Sequence, residues 1–233
     1  MIRFPDIAGK VENFDASAFQ KKYDAIRPVS DITEEEAQNF WDDVFSGSLD
    51  TREITEADLQ NEVYGRSEEE FDFDFDVKNP ELQENIDAFT GENWEQLTDD
   101  EKKSACDKLA EVIAEKLEIA NRPTIEFYES NPCDCGAFDP DRNVISINQN
   151  NFDDPEEIIN TIAHETRHAY QFQRAENPDN YMDLLYAYNF ANYIMPYMDE
   201  DGYVNFIDYQ DQLIEAEARA FASLFEQEAR ADE

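Results

Sequence analysis

The stretch Thr161-Ile-Ala-His-Glu-Thr-Arg-His-Ala-Tyr-Gln171 contains both histidines of the chain. His164 and His168 are four residues apart and Glu165 lies between them, which is the H-E-x-x-H pattern. In an α-helix with 3.6 residues per turn, positions i and i+4 are about 40° apart, so both imidazoles leave the same face. Two neutral imidazole nitrogens at this spacing can reach one metal ion, and the glutamate can act on a water as general base. The pattern therefore predicts a metal site on a helix.

Residues on either side of the motif favour the helix that this geometry needs. Asp154 is a good N-cap, Pro155 suits the first helical position, and Glu157 stands three residues after the cap. We expect this helix to run to about Gln173.

A catalytic zinc site usually has three protein ligands, and two histidines leave it one short. The chain has no third histidine, so the missing ligand is a carboxylate or, less favourably, a cysteine. Alanines in Ile214–Ala222 would let a late helix approach the histidine helix closely. Glu215 and Glu217 are about 200° apart on such a helix, so only one can face the metal. Glu215 shares the apolar face with Ala218 and is preferred, with Glu217 as the alternative.

The pattern from residue 93 onward predicts an α+β domain over 93–233. Two strands are predicted, at Pro123–Tyr128 and Asn143–Asn148. Four helices are predicted: Thr98 to about 120, Asp154 to about 173, one that begins at Tyr181, and about Asp208 to Ala229. Asp199–Gly202 is predicted to be a turn.

Residues 1–92 are predicted to form an acidic, helix-rich region, with a docking or accessory role. Thr33–Glu36 has capping-box spacing and precedes the helical apolar pattern Phe40–Phe45, and a second helix is expected near 55–64. Strict alternation over Glu70–Val77 predicts a strand with phenylalanines on one face and aspartates on the other. We favour a half-buried strand with a solvated face; the alternative is an acidic docking ribbon or cation site.

The composition is strongly acidic, with 57 acids against 18 bases and a net charge of −39. Such a surface repels phosphate backbones and anionic lipids, which argues against nucleic-acid and membrane partners. No apolar stretch is long enough to span a bilayer, and the start of the sequence lacks the apolar region of a signal peptide. We expect a cytoplasmic protein as synthesised, with signal-independent export left open.

The three cysteines, Cys106, Cys133 and Cys135, have no disulfide-framework spacing. The pair at 133 and 135 could chelate a metal or oxidise, but two loop thiols are the favoured interpretation.

The combination of His164-Glu165-x-x-His168 with Glu215-x-x-Ala218 resembles the gluzincin type of zincin metallopeptidase. The later segment, to Ala222, is similar to the E-x-x-A-D-x-F-A segment of that family, in which the glutamate is the third zinc ligand. The family's aspartate, which supports a zinc histidine, falls at Arg219. More closely, Gly136–Ala222 resembles uncharacterised bacterial zincin-like domains of phage-related and toxin-like proteins. The shared landmarks are Gly136–Asp139, Asn143–Asn148, Thr161–Gln171 and Tyr209-x-x-Gln212-x-x-Glu215.

The resemblance implies a zincin-like fold and a Zn²⁺-dependent metallopeptidase. Its edge strand, which pairs with an extended substrate above the metal helix, would be Asn143–Asn148. Glu165 would take a proton from a zinc-bound water, and the developing oxyanion would need a donor. Tyr209 and Arg167 are the two candidates for that donor, although core packing is the favoured role of Tyr209. The partner would be a protein or peptide, with basic substrates favoured by the acidic surface.

Two other function classes compete with this interpretation. A di-iron carboxylate protein would need a second E-x-x-H motif, which the two histidines cannot supply. A non-enzymatic protein could instead use its acidity to mimic nucleic acid or mask a basic partner, on an inactive zincin-like scaffold. The departure at Arg219 keeps this second alternative open.

Overall fold

The computed structural model describes residues 56–198 and 204–229, which form an α+β fold. The helices are α1 Glu56–Val63, α2 Pro80–Ile86, α3 Gly91–Gln96, α4 Asp99–Lys116, α5 Pro155–Glu176, α6 Tyr181–Ala191, α7 Ile207–Gln210 and α8 Leu213–Ala229. The strands are β1 Thr124–Tyr128, β2 Gly136–Asp139, β3 Val144–Asn148, β4 Tyr197–Met198 and β5 Val204–Asn205. The predicted helix over Phe40–Phe45 and the predicted turn Asp199–Gly202 lie outside the described residues.

The larger sheet is mixed and has the order β1-β3-β2. β3 pairs in parallel with β1 and antiparallel with β2. The expectation that Asn143–Asn148 forms the edge strand is therefore wrong, because β3 is the central strand. Its Val-Ile-Ser-Ile run is almost entirely buried, as expected for a strand with neighbours on both sides. The edge next to the histidine helix is β2.

Helix caps confirm the predicted starts of the two long helices. Thr98 and Glu101 form a reciprocal capping box at the start of α4, and the carboxylate of Asp154 accepts the Glu157 N–H at the start of α5. α4 ends at Lys116, before the predicted end near 120, whereas α5 continues to Glu176. α5 is the central helix, since it packs on α8, α4, α6 and two strands.

Residues 56–92 pack into the same two cores as the later part of the chain. Leu82 and Phe89 lie in a cluster with residues from α4, α5, the sheet and α8. Helix α1 matches the helix predicted near 55–64. Its Leu59 and Val63 lie in a second cluster with residues of α6 and α8. The described part of the N-terminal region is thus continuous with the rest of the fold.

The segment Phe71–Val77 is not a strand, contrary to the prediction. Residues 71–76 have no regular secondary structure, Val77 lies in a turn, and the segment pairs with no strand among the described residues. The predicted alternation is retained, because the aspartates are exposed while Phe73 and Phe75 pack edge-on against Phe221 of α8. The aromatic face is therefore covered by a helix instead of by a sheet partner.

The predicted last helix is divided into α7 and α8 by a break at Asp211–Gln212. The side chain of Gln212 donates to the carbonyls of Ile194 and Tyr209, and the Asn189 amide oxygen accepts the N–H of Ile214 at the start of α8. The contact with Asn189 satisfies one of the free N–H groups at the start of α8. Within the described ranges, no helix has the length and apolar character to cross a bilayer.

Candidate metal centre

Three predicted ligands converge between α5 and the first turn of α8. Nε2 of His164 and Nε2 of His168 lie 3.0 Å apart, and each is 3.5 Å from a carboxylate oxygen of Glu215. Ligands about 2.0–2.2 Å from a tetrahedral zinc ion are separated by roughly 3.3–3.5 Å. The two imidazole–carboxylate distances are close to this spacing, although they involve different oxygens of Glu215, Oε2 for His164 and Oε1 for His168, and the two nitrogens are slightly closer together. Among the described residues, this is the one cluster with the composition and spacing of a metal site.

The charge of the cavity also fits a divalent cation. Glu215 is 2% exposed and Glu165 is 8% exposed, and both line a cavity of about 380 Å³. No lysine or arginine is among the described residues that line it. Burial would raise the pKa of Glu215, but the imidazoles of His168 and His164 outweigh it and lower that pKa well below its ordinary value. Buried carboxylates need a compensating charge, which a bound cation would provide.

Glu165 lies in the same cavity, beneath strand β2. Burial raises the pKa of Glu165, and the nearby backbone N–H of Phe138 on β2 partly offsets this rise. β2 and α5 are so close at Gly136 that a Cβ there would lie 2.5 Å from Cγ2 of Thr161 and 2.8 Å from the carbonyl oxygen of Ser146. A glycine at this position thus lets the edge strand cross directly over the histidine helix.

Glu217, the alternative ligand, does not line the cavity that contains the histidines. Its carboxylate accepts hydrogen bonds from Arg167, from the hydroxyl of Tyr186 at 2.8 Å and from the amide of Gln171 at 2.7 Å. Arg167 lies outside the cavity that contains the histidines, where its guanidinium stacks near Phe73, Tyr170 and Phe221. The positions of these two side chains therefore argue against Glu217 as a ligand in the histidine cavity and against Arg167 as a donor to the oxyanion there.

Two tyrosines line the cavity beside Glu215. The hydroxyl of Tyr193 donates to Glu215 over 2.5 Å, and its ring meets that of Tyr209 edge-on with centroids 6.0 Å apart. Burial and the carboxylate of Glu215 raise the pKa of both phenols. Tyr209 thus lines the cavity of the site, although core packing was its favoured role from the sequence. Tyr193 was missed because no local pattern distinguishes it from the neighbouring tyrosines of α6.

Two buried amides were also missed as site residues. Gln171 lies one turn after His168, and its amide oxygen is 2.9 Å from Nδ1 of that histidine. Gln212 links the segment carrying Tyr193 to the start of α8, since its amide contacts both the N–H and the carbonyl of Ile194. Both belong to the landmarks quoted above, but the sequence does not show which groups they contact.

Arg219 does not substitute for the aspartate of the resembled family. Its guanidinium contacts the carboxylate of Glu68 and the carbonyl of Gln210, away from the histidines. The exposed side chains of Met195 and Phe206 stand at the cavity, as does Cys133. All three cysteines are free thiols, and none belongs to the metal-type cluster found among the described residues.

Comparisons with known proteins add nothing to this geometry. No protein family, no curated protein and no solved structure matches the chain. The functional assignment consequently depends on the arrangement of the site and on the sequence motif.

Proposed function

We propose that this protein is a zinc-dependent metallopeptidase with a zincin-like fold, and that it hydrolyses peptide bonds of a protein or peptide substrate. The observation that carries the proposal is the convergence of His164, His168 and Glu215 from two helices about 50 residues apart, with Glu165 in the same buried cavity. The H-E-x-x-H resemblance supports zinc as the metal. Mixed imidazole and carboxylate ligands are typical of catalytic zinc sites with an open position.

In this proposal His164, His168 and Glu215 hold the metal, and Glu165 moves the proton. Zinc, when bound, lowers the pKa of a water and polarises the substrate carbonyl. Glu165 accepts the proton of the attacking water and then transfers it to the leaving amine. Burial raises the pKa of this carboxyl group, which brings it closer to the value that suits both tasks. The hydroxyl of Tyr209 donates a hydrogen bond to the carbonyl oxygen of the substrate as that oxygen gains charge.

Strand β2 is the proposed substrate-binding edge. It pairs with β3 on one side and crosses α5 near Glu165, so an extended peptide added to its outer side would pass over the site. The exposed apolar side chains of Met195 and Phe206 supply contacts for substrate side chains at the mouth of the cavity.

The direct test combines metal analysis with Glu165→Gln. Purified protein should hold about one zinc per chain, and Glu165→Gln should keep the zinc while losing peptidase activity by at least 10²-fold. Glu156→Gln is the matched control, since Glu156 is an exposed residue in the first turn of the same helix. Absence of stoichiometric divalent metal, or full activity in Glu165→Gln, would disprove the proposal.

The net charge of −39 favours basic substrates through electrostatic steering. The kcat/KM for a lysine-rich peptide should then fall as the ionic strength increases from low to physiological values. An uncharged peptide with the same cleavage site is the control. Equal salt dependence for both peptides would remove the preference for basic substrates without affecting the proposed reaction.

The alternative is a non-enzymatic protein that binds basic partners through its acidic surface. The observation that favours it is the position of Arg219, which pairs with Glu68 and offers no support to the histidines. Stable capture of basic proteins with none of them cleaved, by protein shown to contain zinc, would favour this alternative.

A further inference from the structure

We propose that Gln171 is a positioning residue that fixes both His168 and Glu215 as metal ligands, held in place by Glu217. This inference rests on the proposed metal site. It assigns a role to a buried group of four side chains, Gln171, Glu217, Arg167 and Tyr186, which we call the Gln171 network. The network lies next to the ligands and contributes no atom to them.

The contacts of Gln171 determine the orientation of its amide. Nε2 lies 3.1 Å from the carbonyl oxygen of Ile214 and 2.7 Å from a carboxylate oxygen of Glu217. Both partners are acceptors, so the NH₂ group must be on this side. The amide oxygen then faces Nδ1 of His168 at 2.9 Å and can only accept. Nδ1 of His168 consequently carries the hydrogen.

This hydrogen bond prepares His168 for metal binding. With the hydrogen on Nδ1, the neutral ring has its lone pair on Nε2, the atom that faces His164 and Glu215. The opposite tautomer would leave two hydrogen-bond acceptors facing each other at Gln171. The network therefore selects the tautomer that can bind a cation and holds the ring in the required plane.

The same amide also controls the position of Glu215. The carbonyl that accepts from Gln171 belongs to Ile214, the residue immediately before Glu215 in the first turn of α8. One fully buried side chain on α5 thus contacts the ring of one ligand and the backbone beside another. A shift of Gln171 would move both ligands relative to each other.

Glu217 holds Gln171 because three donors converge on its carboxylate. Arg167 and Tyr186 donate to one oxygen, and Gln171 donates to the other. His168 is therefore connected through one amide to a buried carboxylate. In the resembled family an aspartate supports a zinc histidine, and here the corresponding residue is Arg219, which contacts Glu68 instead.

The test measures zinc affinity by competition with a chromophoric chelator. Gln171→Met keeps the volume but removes both hydrogen-bonding groups, and we expect zinc affinity to fall about 10–100-fold. Gln173→Met is the matched control, since Gln173 is on the same helix but its amide contacts the backbone of Ala120 and Glu118 and not the Gln171 network. The control should bind zinc as the wild type does.

A pair of further variants separates positioning from general damage to the fold. Gln171→Glu alone places two carboxylates in contact and should lose zinc affinity. In the double variant Gln171→Glu/Glu217→Gln, the amide at 217 can again donate to residue 171, which again accepts from His168. The carbonyl of Ile214 has no donor in this variant, so part of the affinity should return. A purely structural role would make the double variant at least as poor as the single one.

The second readout is the nitrogen-15 spectrum of the zinc-loaded wild type, in which the hydrogen on His168 should be at Nδ1 and the metal at Nε2. The inference is wrong if Gln171→Met binds zinc like the wild type, if the double variant shows no recovery, or if the spectrum gives the opposite tautomer. A wild-type protein that binds no zinc would instead refute the proposed function, and with it this inference.

Discussion

Arg167 forms a buried ion pair with Glu217, 50 residues later in the chain and two residues beyond Glu215. This pair explains why two glutamates of similar sequence context have different roles. Glu217 has a guanidinium partner and two further donors, whereas Glu215 faces the two imidazoles and the hydroxyls of Tyr193 and Tyr209. The carboxylate of Glu217 is thus neutralised by its partners in the core, whereas the carboxylate of Glu215 is available to a cation.

Removal of one partner of this pair should be strongly destabilising. Arg167→Met leaves the carboxylate of Glu217 buried without its cation, and we expect the free energy of unfolding to fall by about 3–5 kcal/mol. Chemical denaturation measures this change. Arg142→Met breaks an exposed pair with Glu126 and should leave the unfolding midpoint nearly unchanged. Similar effects of the two substitutions would show that the buried Arg167–Glu217 pair contributes no more to stability than an exposed pair.

Glu215→Ala should prevent stoichiometric zinc binding, because it removes one of the three proposed protein ligands. The fold should persist, since the surrounding helix face consists of buried alanines such as Ala218 and Ala222. Zinc content after dialysis and circular dichroism of the same sample give the two measurements. Glu156→Ala, on the exposed side of α5, should retain its zinc. Full zinc content in Glu215→Ala would exclude this residue as a ligand.

The two tyrosines of the cavity should differ in their effects. Tyr209→Phe should lower kcat by about 10²–10³-fold with little change in KM or zinc affinity, as expected for a donor to the developing oxyanion. Tyr193→Phe removes the hydroxyl that donates to Glu215 and should weaken zinc binding itself. Steady-state kinetics together with chelator competition separate the two. Unchanged kcat in Tyr209→Phe would assign Tyr209 to packing.

Gly136→Ala should destabilise the fold where β2 crosses α5. The new methyl group would meet Thr161 and the Ser146 carbonyl at impossible distances, and overpacking of this kind costs about 1–3 kcal/mol. Adding Thr161→Ser, which removes the nearer methyl group, should restore part of the loss. Gly91→Ala has nothing within 4 Å of its new Cβ and should not destabilise. Thermal unfolding of the wild type and of these three variants would show whether β2 packs closely against α5 at Gly136.

The thiols should react in an order set by exposure and pKa. Cys133 is exposed, whereas burial raises the pKa of Cys106 to about 12, so its reactive thiolate is nearly absent at pH 8. Burial and the neighbouring Glu157 likewise raise the pKa of Cys135 to about 12. A thiol reagent at pH 8 should label Cys133 first and Cys106 only after unfolding. Protection of Cys133 and Cys135 by added zinc would revive the hypothesis that this pair binds metal.

The sequence by itself determined the features that depend on neighbouring residues. The caps at Thr98 and Asp154 set the starts of α4 and α5, and the four-residue spacing placed both histidines on one face. The two-residue alternation of Phe71–Val77 correctly separated buried from exposed side chains. Caps and periodicity depend on residues within one or two helical turns of each other, so they can be predicted without knowledge of the remaining chain.

Only the tertiary structure decided which distant groups meet. The order of the strands made β3 central and β2 the edge, and Arg167 took Glu217, while Glu215 remained in the histidine cavity. The contacts of Gln171 and Tyr193 could not be predicted either, because an amide or a hydroxyl has no tertiary partner until another element packs against it. Local sequence specifies the helices, but burial of polar groups between them specifies the site, since each buried donor and acceptor must find its partner across the core.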